Sequence, residues 1–368
     1  MRFLLQAAVL ALSAALFNSF ADPIRDLPAL NIDIKETSVS GISSGGFMAV
    51  QLAVAYSSII KGAGIVAAGP YYCSQGSRVT ATTKCSCTAE PVLSCAVTAA
   101  STDVPGLIST TQSFFANHLI DDPANIAHQR VMTFVGREDH TVPPMVVKQL
   151  EEFYSAAGLP QANLLRFVQK NAGHTMPTVS YGGACGVSES PFIGRCGFDG
   201  AKEILSWIYG PASLKPAVED RDLERKYIQF DQSPFIPREG LNGLLWRNGM
   251  DSTGWVYMPD SCRNGARCRL HIVLHGCKQG QDYLPLTPPP GGGLFNGTTF
   301  VKHTGYARWA ESNQIVVLFP QAISIPNDNP NGCWDWWGFT NEHFADNKGV
   351  QMRAIRAMID RLTSGHSH

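Results

Sequence analysis

Apolar and polar positions alternate in blocks along most of the chain, and the blocks predict strands and helices in turn. Short apolar runs bounded by glycine or charged residues, such as residues 62–70 and 130–136, are typical of buried parallel strands. Longer stretches with apolar residues at helical spacing lie between them, such as residues 46–56 and 350–362. The pattern predicts an α/β fold with a mostly parallel central sheet flanked by helices.

Further elements extend this alternation over both halves of the chain. We predict strands at residues 34–40, 164–169, 225–236, 241–258, 269–274 and 314–320, and helices at residues 106–120, 145–157, 198–209 and 301–313. Residues 71–105 interrupt the pattern because they carry four cysteines and many small polar residues. We expect them to form a disulfide-stapled insertion over one end of the sheet.

The first 21 residues have a composition of their own. Arg2 is followed by an apolar segment up to Phe17 and then by Ser19-Phe20-Ala21, the small-x-small pattern of a cleavage site. The segment is shorter than the roughly 20 apolar residues that span a bilayer. We therefore expect residues 1–21 to be a signal peptide, and the mature chain to be secreted or periplasmic.

Composition and charge narrow the classes of ligand. Of the 368 residues, 44% are apolar and 16% are charged, as in a well-packed globular protein. The 29 basic and 30 acidic residues give a formal net charge of -1, and neither sign forms a long run. The sequence lacks the basic footprint of a nucleic-acid or anionic-lipid binder, so we expect a neutral or apolar ligand.

All ten cysteines lie after residue 21, an even number that favours disulfides in an exported chain. The spacing predicts three pairs: Cys185 with Cys196, Cys262 with Cys268, and Cys277 with Cys333 as the remaining distant pair. Two further bridges are expected in a group whose pairing the sequence leaves open: Cys73, Cys85, Cys87 and Cys95. No Cys or His pair has the spacing of a structural zinc site, so we expect no metal.

One short stretch carries the strongest signal for chemistry. Residues 37–48 are expected to form a strand, a tight turn and the start of a helix, and they contain Gly-x-Ser-x-Gly once, at Gly41, Ser43 and Gly45. In a nucleophile elbow the serine sits on a strained turn, and side chains two positions before or after it would collide with neighbouring backbone. Ser43 is our candidate nucleophile, and the alternative is an ordinary glycine-serine turn.

Two polar residues follow later strands. Asp139 stands in the loop after strand 130–136, and His174 in the loop after strand 164–169. Loops at the carboxyl ends of parallel strands commonly hold the site. Glu138 is a rival for the acidic role, while helix capping and surface exposure are the structural alternatives. The chain order Ser43, Asp139, His174 is that of α/β-hydrolase triads.

Acyl-transfer chemistry suggests a role for each residue. Ser43 would attack a carbonyl carbon, His174 would take and return the proton, and Asp139 would fix the imidazole tautomer. Backbone N–H groups of Ser44 and Cys277 would hold the oxyanion, because Cys277 lies just after the buried strand 269–274. The neighbouring His275 could be mistaken for the base.

The order of the elements is unusual for such a hydrolase. Only about 20 mature residues precede Ser43, whereas residues 211–368 supply the outer strands and the oxyanion loop. We therefore expect a circularly permuted α/β-hydrolase fold, disulfide-stapled, in which residues 22–368 form a single catalytic domain. Residues 22–210 would hold the nucleophile, acid and histidine, and residues 211–368 the oxyanion loop.

These blocks, in this order, resemble the single-domain, circularly permuted polyhydroxybutyrate depolymerases. The matching blocks are residues 41–46, 136–142, 173–175, 274–280 and 329–337. The resemblance implies hydrolysis of ester bonds in poly(3-hydroxybutyrate) or its oligomers through an acyl-enzyme on Ser43, with no metal or organic cofactor. It also supports pairing Cys277 with Cys333. We expect a monomer that acts on a polyester or oligoester, with no nucleic-acid or membrane partner.

The segment at residues 334–337, here called the tryptophan block, is expected to contribute to both substrate binding and the core. Trp336 and Trp337 are expected to bind aliphatic ester units by apolar contact, whereas Trp334 is expected in the core. Asp335 could compete with Asp139 for the histidine.

Two rival functions remain open. One rival function is a carboxylesterase for feruloyl or acetyl groups of polysaccharide. The other is a non-catalytic polymer-binding protein, against which the intact triad argues.

Overall fold

The computed structural model describes residues 24–219, 221–238, 247–283 and 297–365. The predicted signal peptide, residues 1–21, lies outside this range, and so do residues 241–246 of a predicted outer strand. Among the described residues we find no helix whose length and apolar character would let it traverse a bilayer.

Strands and helices follow one another in the predicted alternation. The strands are β1 Ile32–Ile42, β2 Ile60–Val66, β3 Arg130–Gly136, β4 Leu164–Gln169, β5 Met176–Thr178, β6 Gly183–Ala184, β7 Ile193–Arg195, β8 Tyr227–Asp231, β9 Thr253–Tyr257, β10 Cys268–Leu274 and β11 Ile315–Phe319. The helices are α1 Ser44–Ala55, α2 Arg78–Thr83, α3 Val104–Ala116, α4 Pro144–Ala156, α5 Gly200–Tyr209, α6 Asp260–Arg263, α7 Thr299–His303, α8 Tyr306–Asn313 and α9 Val350–Thr363.

Eight of the described strands form one sheet, in the order β4-β3-β2-β1-β10-β11-β9-β8. Neighbours from β4 to β11 are parallel, whereas β9 runs antiparallel to β11 and β8 antiparallel to β9. The first four strands in this order come from residues 22–210 and the other four from residues 211–368. The mostly parallel α/β fold is therefore confirmed, and the circular permutation stays an interpretation of this strand order.

Four predicted elements differ clearly from the structure. The helix predicted at residues 301–313 is two helices, α7 and α8, because Gly305 between them has φ +89° and turns the chain. The strand predicted at residues 62–70 ends at Val66, since Ala67 has φ +49°. The strand predicted at residues 225–236 shortens to β8, and only β9 forms in the described part of residues 241–258.

Five disulfides link the described residues. They join Cys73 to Cys85, Cys87 to Cys95, Cys185 to Cys196, Cys262 to Cys268, and Cys277 to Cys333. The first two pairings had been left open, and both hold the insertion at residues 71–105. The backbone N–H of Cys87 donates to the carbonyl oxygen of Thr141 at 2.8 Å, so the insertion is attached to the loop that carries Asp139.

A buried polar chain joins the two central strands, β1 and β10. The two ring nitrogens of His271 lie 2.7 Å from Oγ of Ser38 and 2.8 Å from Oγ of Ser40. Each serine oxygen is in turn 2.7 Å from a tyrosine hydroxyl, that of Tyr209 or of Tyr306. The chain satisfies a fully buried imidazole, whose pKa burial lowers to about 3.

We expect His271 to make the protein less stable in acid. Its pKa is lowered on folding, so below pH 6.5 the histidine binds a proton in the unfolded chain but not in the folded protein. The free energy of unfolding should therefore fall as the pH drops from 6.5 towards 3. Urea unfolding at pH 7.5 and pH 5.0 should show a loss about 2 kcal/mol larger in the wild type than in His271→Gln.

The comparison isolates one residue, because every other titrating group is common to both proteins. His275, whose pKa burial lowers to about 4, contributes equally to each. Equal losses in the two proteins would contradict the assignment.

Candidate active site

Ser43 stands on a sharp turn between β1 and α1. Its backbone has φ 56° and ψ -126°, a region that costs a non-glycine residue about 1–3 kcal/mol. Hydrogen bonds on both sides hold the turn: the N–H of Ser43 donates to the carbonyl oxygen of Val66 at 3.0 Å, and the N–H of Phe47 donates to that of Ser43 at 2.9 Å. The sequence pattern had predicted this strand, turn and helix.

The two glycines of the motif are needed because neighbouring backbone leaves no room for a side chain at either position. A Cβ at Gly41 would overlap the backbone of Gly45, and a Cβ at Gly45 would overlap the carbonyl oxygens of Leu274 and His275. The elbow therefore lies directly against the end of β10, where the predicted oxyanion loop begins.

Asp139 and His174 come together as a buried pair. Nδ1 of His174 donates to Oδ2 of Asp139 at 2.8 Å, and the residues are 4% and 1% exposed. The other carboxylate oxygen accepts from the N–H groups of Thr141 and Val142 at 2.9 and 2.8 Å. Three donors thus fix the carboxylate, and the carboxylate fixes the imidazole, leaving Nε2 for another partner.

The alternatives for the acid and the base lie elsewhere. Glu138 is exposed to solvent, whereas Asp139 is buried. Asp335 accepts from the N–H groups of its own loop, including those of Gly338 and Thr340 at 2.8 and 2.9 Å. Nε2 of His275 accepts from the N–H of Ala322 at 3.0 Å, so Nδ1 carries the proton and donates to a carbonyl oxygen at 2.7 Å. Asp335 and His275 thus bond to backbone groups of loops.

The loop after β10 packs against the elbow. A Cβ at Gly276 would lie 3.2 Å from Cβ of Ser43, so the two segments are in van der Waals contact. Within the described part of the chain, neither the N–H of Ser44 nor that of Cys277 donates a backbone hydrogen bond. Both of these N–H groups are therefore available to an oxygen atom bound beside Ser43.

Gln279 connects this loop to the histidine side of the site. Its Oε1 accepts from the N–H of Gly276 at 2.6 Å, and its Nε2 donates to the carbonyl oxygens of Pro191 and Phe192 at 2.8 and 3.2 Å. The ring of Phe192 lies edge-on to that of His174, with 6.3 Å between their centroids. Sequence reasoning missed this role, although Gln279 belongs to the block at residues 274–280.

Ser43 and His174 line one cavity of about 450 Å³. Trp336 and Trp337 contribute to its wall, and the ring of Trp336 stacks on Phe47 with centroids 3.9 Å apart. Trp334 is fully buried, in the core where it was expected. The cavity thus combines the buried imidazole pair with a wall of aromatic rings.

Metal ligation finds no support in the residues that the structure describes. They contain no group of three or more His, Cys, Asp or Glu side chains placed to hold an ion.

Comparisons with known proteins place this geometry in context. No protein-family model matches the chain. A poly(3-hydroxybutyrate) depolymerase of Delftia acidovorans is 40% identical over 344 residues, which cover 92% of this chain but only 62% of the length of that relative. A polyhydroxybutyrate depolymerase of Talaromyces funiculosus is 34% identical over 357 residues, covering 92% of this chain and 93% of that relative.

Two solved structures agree with these relatives. The PHB depolymerase from Penicillium funiculosum superposes with a TM-score of 0.77 at 32% identity, covering 93% of this chain and 100% of that one. A serine-to-alanine variant of a PHB depolymerase, complexed with R3HB trimer, gives the same values. The Talaromyces relative is matched over 93% of its length at 34% identity, and the fold is shared with the solved structures, so the chain belongs to the polyhydroxybutyrate depolymerase family.

Proposed function

We propose that the protein is a serine esterase that hydrolyses ester bonds of poly(3-hydroxybutyrate) or its oligomers. The observation that carries the proposal is the buried hydrogen bond between Asp139 and His174, in a site whose cavity also has Ser43 in its wall. The relatives named as depolymerases of this polyester supply the substrate class.

The roles follow from ordinary acyl transfer. Oγ of Ser43 attacks the ester carbonyl while Nε2 of His174 takes its proton, and Asp139 stabilises the imidazolium that forms. The N–H groups of Ser44 and Cys277 hold the oxyanion. The intermediate collapses as His174 returns the proton to the leaving alkoxide, and water then hydrolyses the acyl-enzyme by the same steps.

The aromatic wall suits an aliphatic polyester. Each 3-hydroxybutyrate unit carries a methyl group and no hydrogen-bond donor inside the chain, so apolar contact is the main source of binding energy. Trp336 is held rigidly by its stack on Phe47, and Trp337 lies edge-on to it with centroids 5.7 Å apart. We assign both tryptophans to substrate binding.

Export from the cytosol is part of the proposal. All ten cysteines are paired in disulfides, which persist in oxidising compartments. We therefore keep the interpretation that residues 1–21 are a cleaved signal peptide and that the mature protein is secreted or periplasmic.

A labelling experiment tests the nucleophile. A fluorophosphonate should modify Ser43, and Ser43→Ala should abolish labelling and lower kcat by about 10⁴-fold or more, because no other group can form the acyl-enzyme. Ser58→Ala is the matched control, since Ser58 is exposed and should be dispensable. Full labelling of Ser43→Ala would remove the basis for the assignment.

Product analysis tests the substrate class. Release of 3-hydroxybutyrate from soluble oligomers should exceed release of ferulate or acetate from polysaccharide esters by about tenfold or more in kcat/KM, because we assign the tryptophans of the cavity wall to binding short aliphatic units. Ser43→Ala protein gives the background rate. Ferulate or acetate as the sole product would assign the protein to polysaccharide esters instead.

The bridge made by Gln279 gives a third prediction. Gln279→Met leaves the Gly276 N–H without its acceptor and releases the carbonyl groups of residues 191 and 192. Because small displacements of catalytic groups are costly, kcat should fall about 10- to 100-fold with a smaller change in KM. Gln112→Met, at an exposed position, is the control. An unchanged kcat in a stably folded Gln279→Met would exclude a positioning role.

A further inference from the structure

A cationic side chain without a partner lines the cavity beside the proposed oxyanion loop. Lys278 follows Cys277 directly, is half-buried, and contributes to the wall that also contains Ser43. Among the described residues, no ion pair or side-chain hydrogen bond involves its ammonium group. The proposed mechanism assigns no role to the positive charge of Lys278.

The backbone holds Lys278 in one place. Its φ is +65°, and its N–H donates to the carbonyl oxygen of Asn331 at 2.7 Å. The preceding residue, Cys277, is tied to Cys333 by a disulfide. The root of the side chain is therefore fixed beside the proposed oxyanion loop, and the side chain lines the same cavity as Ser43.

No other charged residue of the cavity wall forms an ion pair with Lys278 among the residues that the structure describes. Glu90 is exposed, and its Oε1 accepts from the N–H of Cys95 at 3.3 Å, within its own loop. Asp328 is exposed, on the segment whose Asn331 accepts from the Lys278 N–H, and makes no ion pair with Lys278. Arg78, also exposed, adds a second positive charge, and its guanidinium donates to the carbonyl oxygen of Asn327 at 3.4 Å. His140 lines the same wall and is exposed.

The substrate class contains one kind of group that such a cation could recognise. Inside a poly(3-hydroxybutyrate) chain every carbonyl belongs to a neutral ester, and only the chain end bears a carboxylate, which is ionised at pH 7. A cation in a partly water-excluded cavity binds a carboxylate by a charge-assisted hydrogen bond, and gains much less from a neutral ester.

We infer that Lys278, assisted by Arg78, forms a subsite for the terminal carboxylate of short 3-hydroxybutyrate oligomers. The inference rests on the proposed function and specifies which end of the substrate the site receives. The terminal carboxylate lies on the alcohol side of every ester bond in the oligomer. The subsite therefore holds the portion that leaves when Ser43 is acylated, and His174 protonates the oxygen of that same portion.

The test compares two substrates that contain the same ester bonds between units. They are the 3-hydroxybutyrate trimer as the free acid and as its methyl ester, which lacks the negative charge. For the wild type, kcat/KM should be about 5- to 10-fold higher for the free acid at low salt. The preference should shrink in 0.5 M salt, because exposed charges are screened.

Variants assign the preference to the lysine. In Lys278→Met the ratio of kcat/KM values for acid and methyl ester should fall close to 1, and Lys278→Arg should restore it. Lys170→Met removes an exposed charge outside the cavity and should keep the wild-type ratio. A wild-type ratio of 1 or below, or a preference that survives in Lys278→Met, would overturn the subsite. Hydrolysis of neither trimer would instead contradict the proposed function.

Discussion

The close contact between the first turn of α1 and the end of β10 is the constraint on which the site depends. Gly45 meets the backbone of Leu274 and His275 with no room for a side chain, and Gly41 pairs with Leu274 in the parallel register of β1 and β10. This contact brings the strained turn of Ser43 against the loop that starts at Gly276. It also joins residues more than 200 positions apart, so the site exists only when both halves of the sheet are assembled.

Cross-connections then fix the surrounding loops. Gln279 bridges the proposed oxyanion loop to the segment that touches His174, and the Cys277–Cys333 disulfide ties that loop to the tryptophan block. The backbone of Cys87 binds the insertion to the loop of Asp139. A single hydrogen bond of this kind contributes only about 1 kcal/mol. The cross-connections matter chiefly because they fix the positions of the loops, since catalytic groups must be held within a fraction of an ångström.

The sequence predicted those parts of the structure that local pattern determines. Strands β3 and β4 begin and end where predicted, since each is a short run bounded by turn residues, and the elbow followed from its two glycines. The broken helix at Gly305 was missed because apolar spacing continues across it while the left-handed backbone does not. Gln279 was missed because the two carbonyl groups to which its Nε2 donates lie almost 90 residues away, and no local pattern reveals such a pairing.

The insertion changes what the cavity can accept. Residues 82 and 86–88 form part of its wall, together with the segments that carry Trp336 and Lys278, and two disulfides hold the insertion in place. Under the proposed function, a polyester chain would enter a cavity of about 450 Å³, which has room for a few units of chain. Chains packed in a crystal would first have to detach, at the cost of their packing contacts. Under the proposed function, the same wall that orients a short oligomer thus disfavours attack on dense polymer.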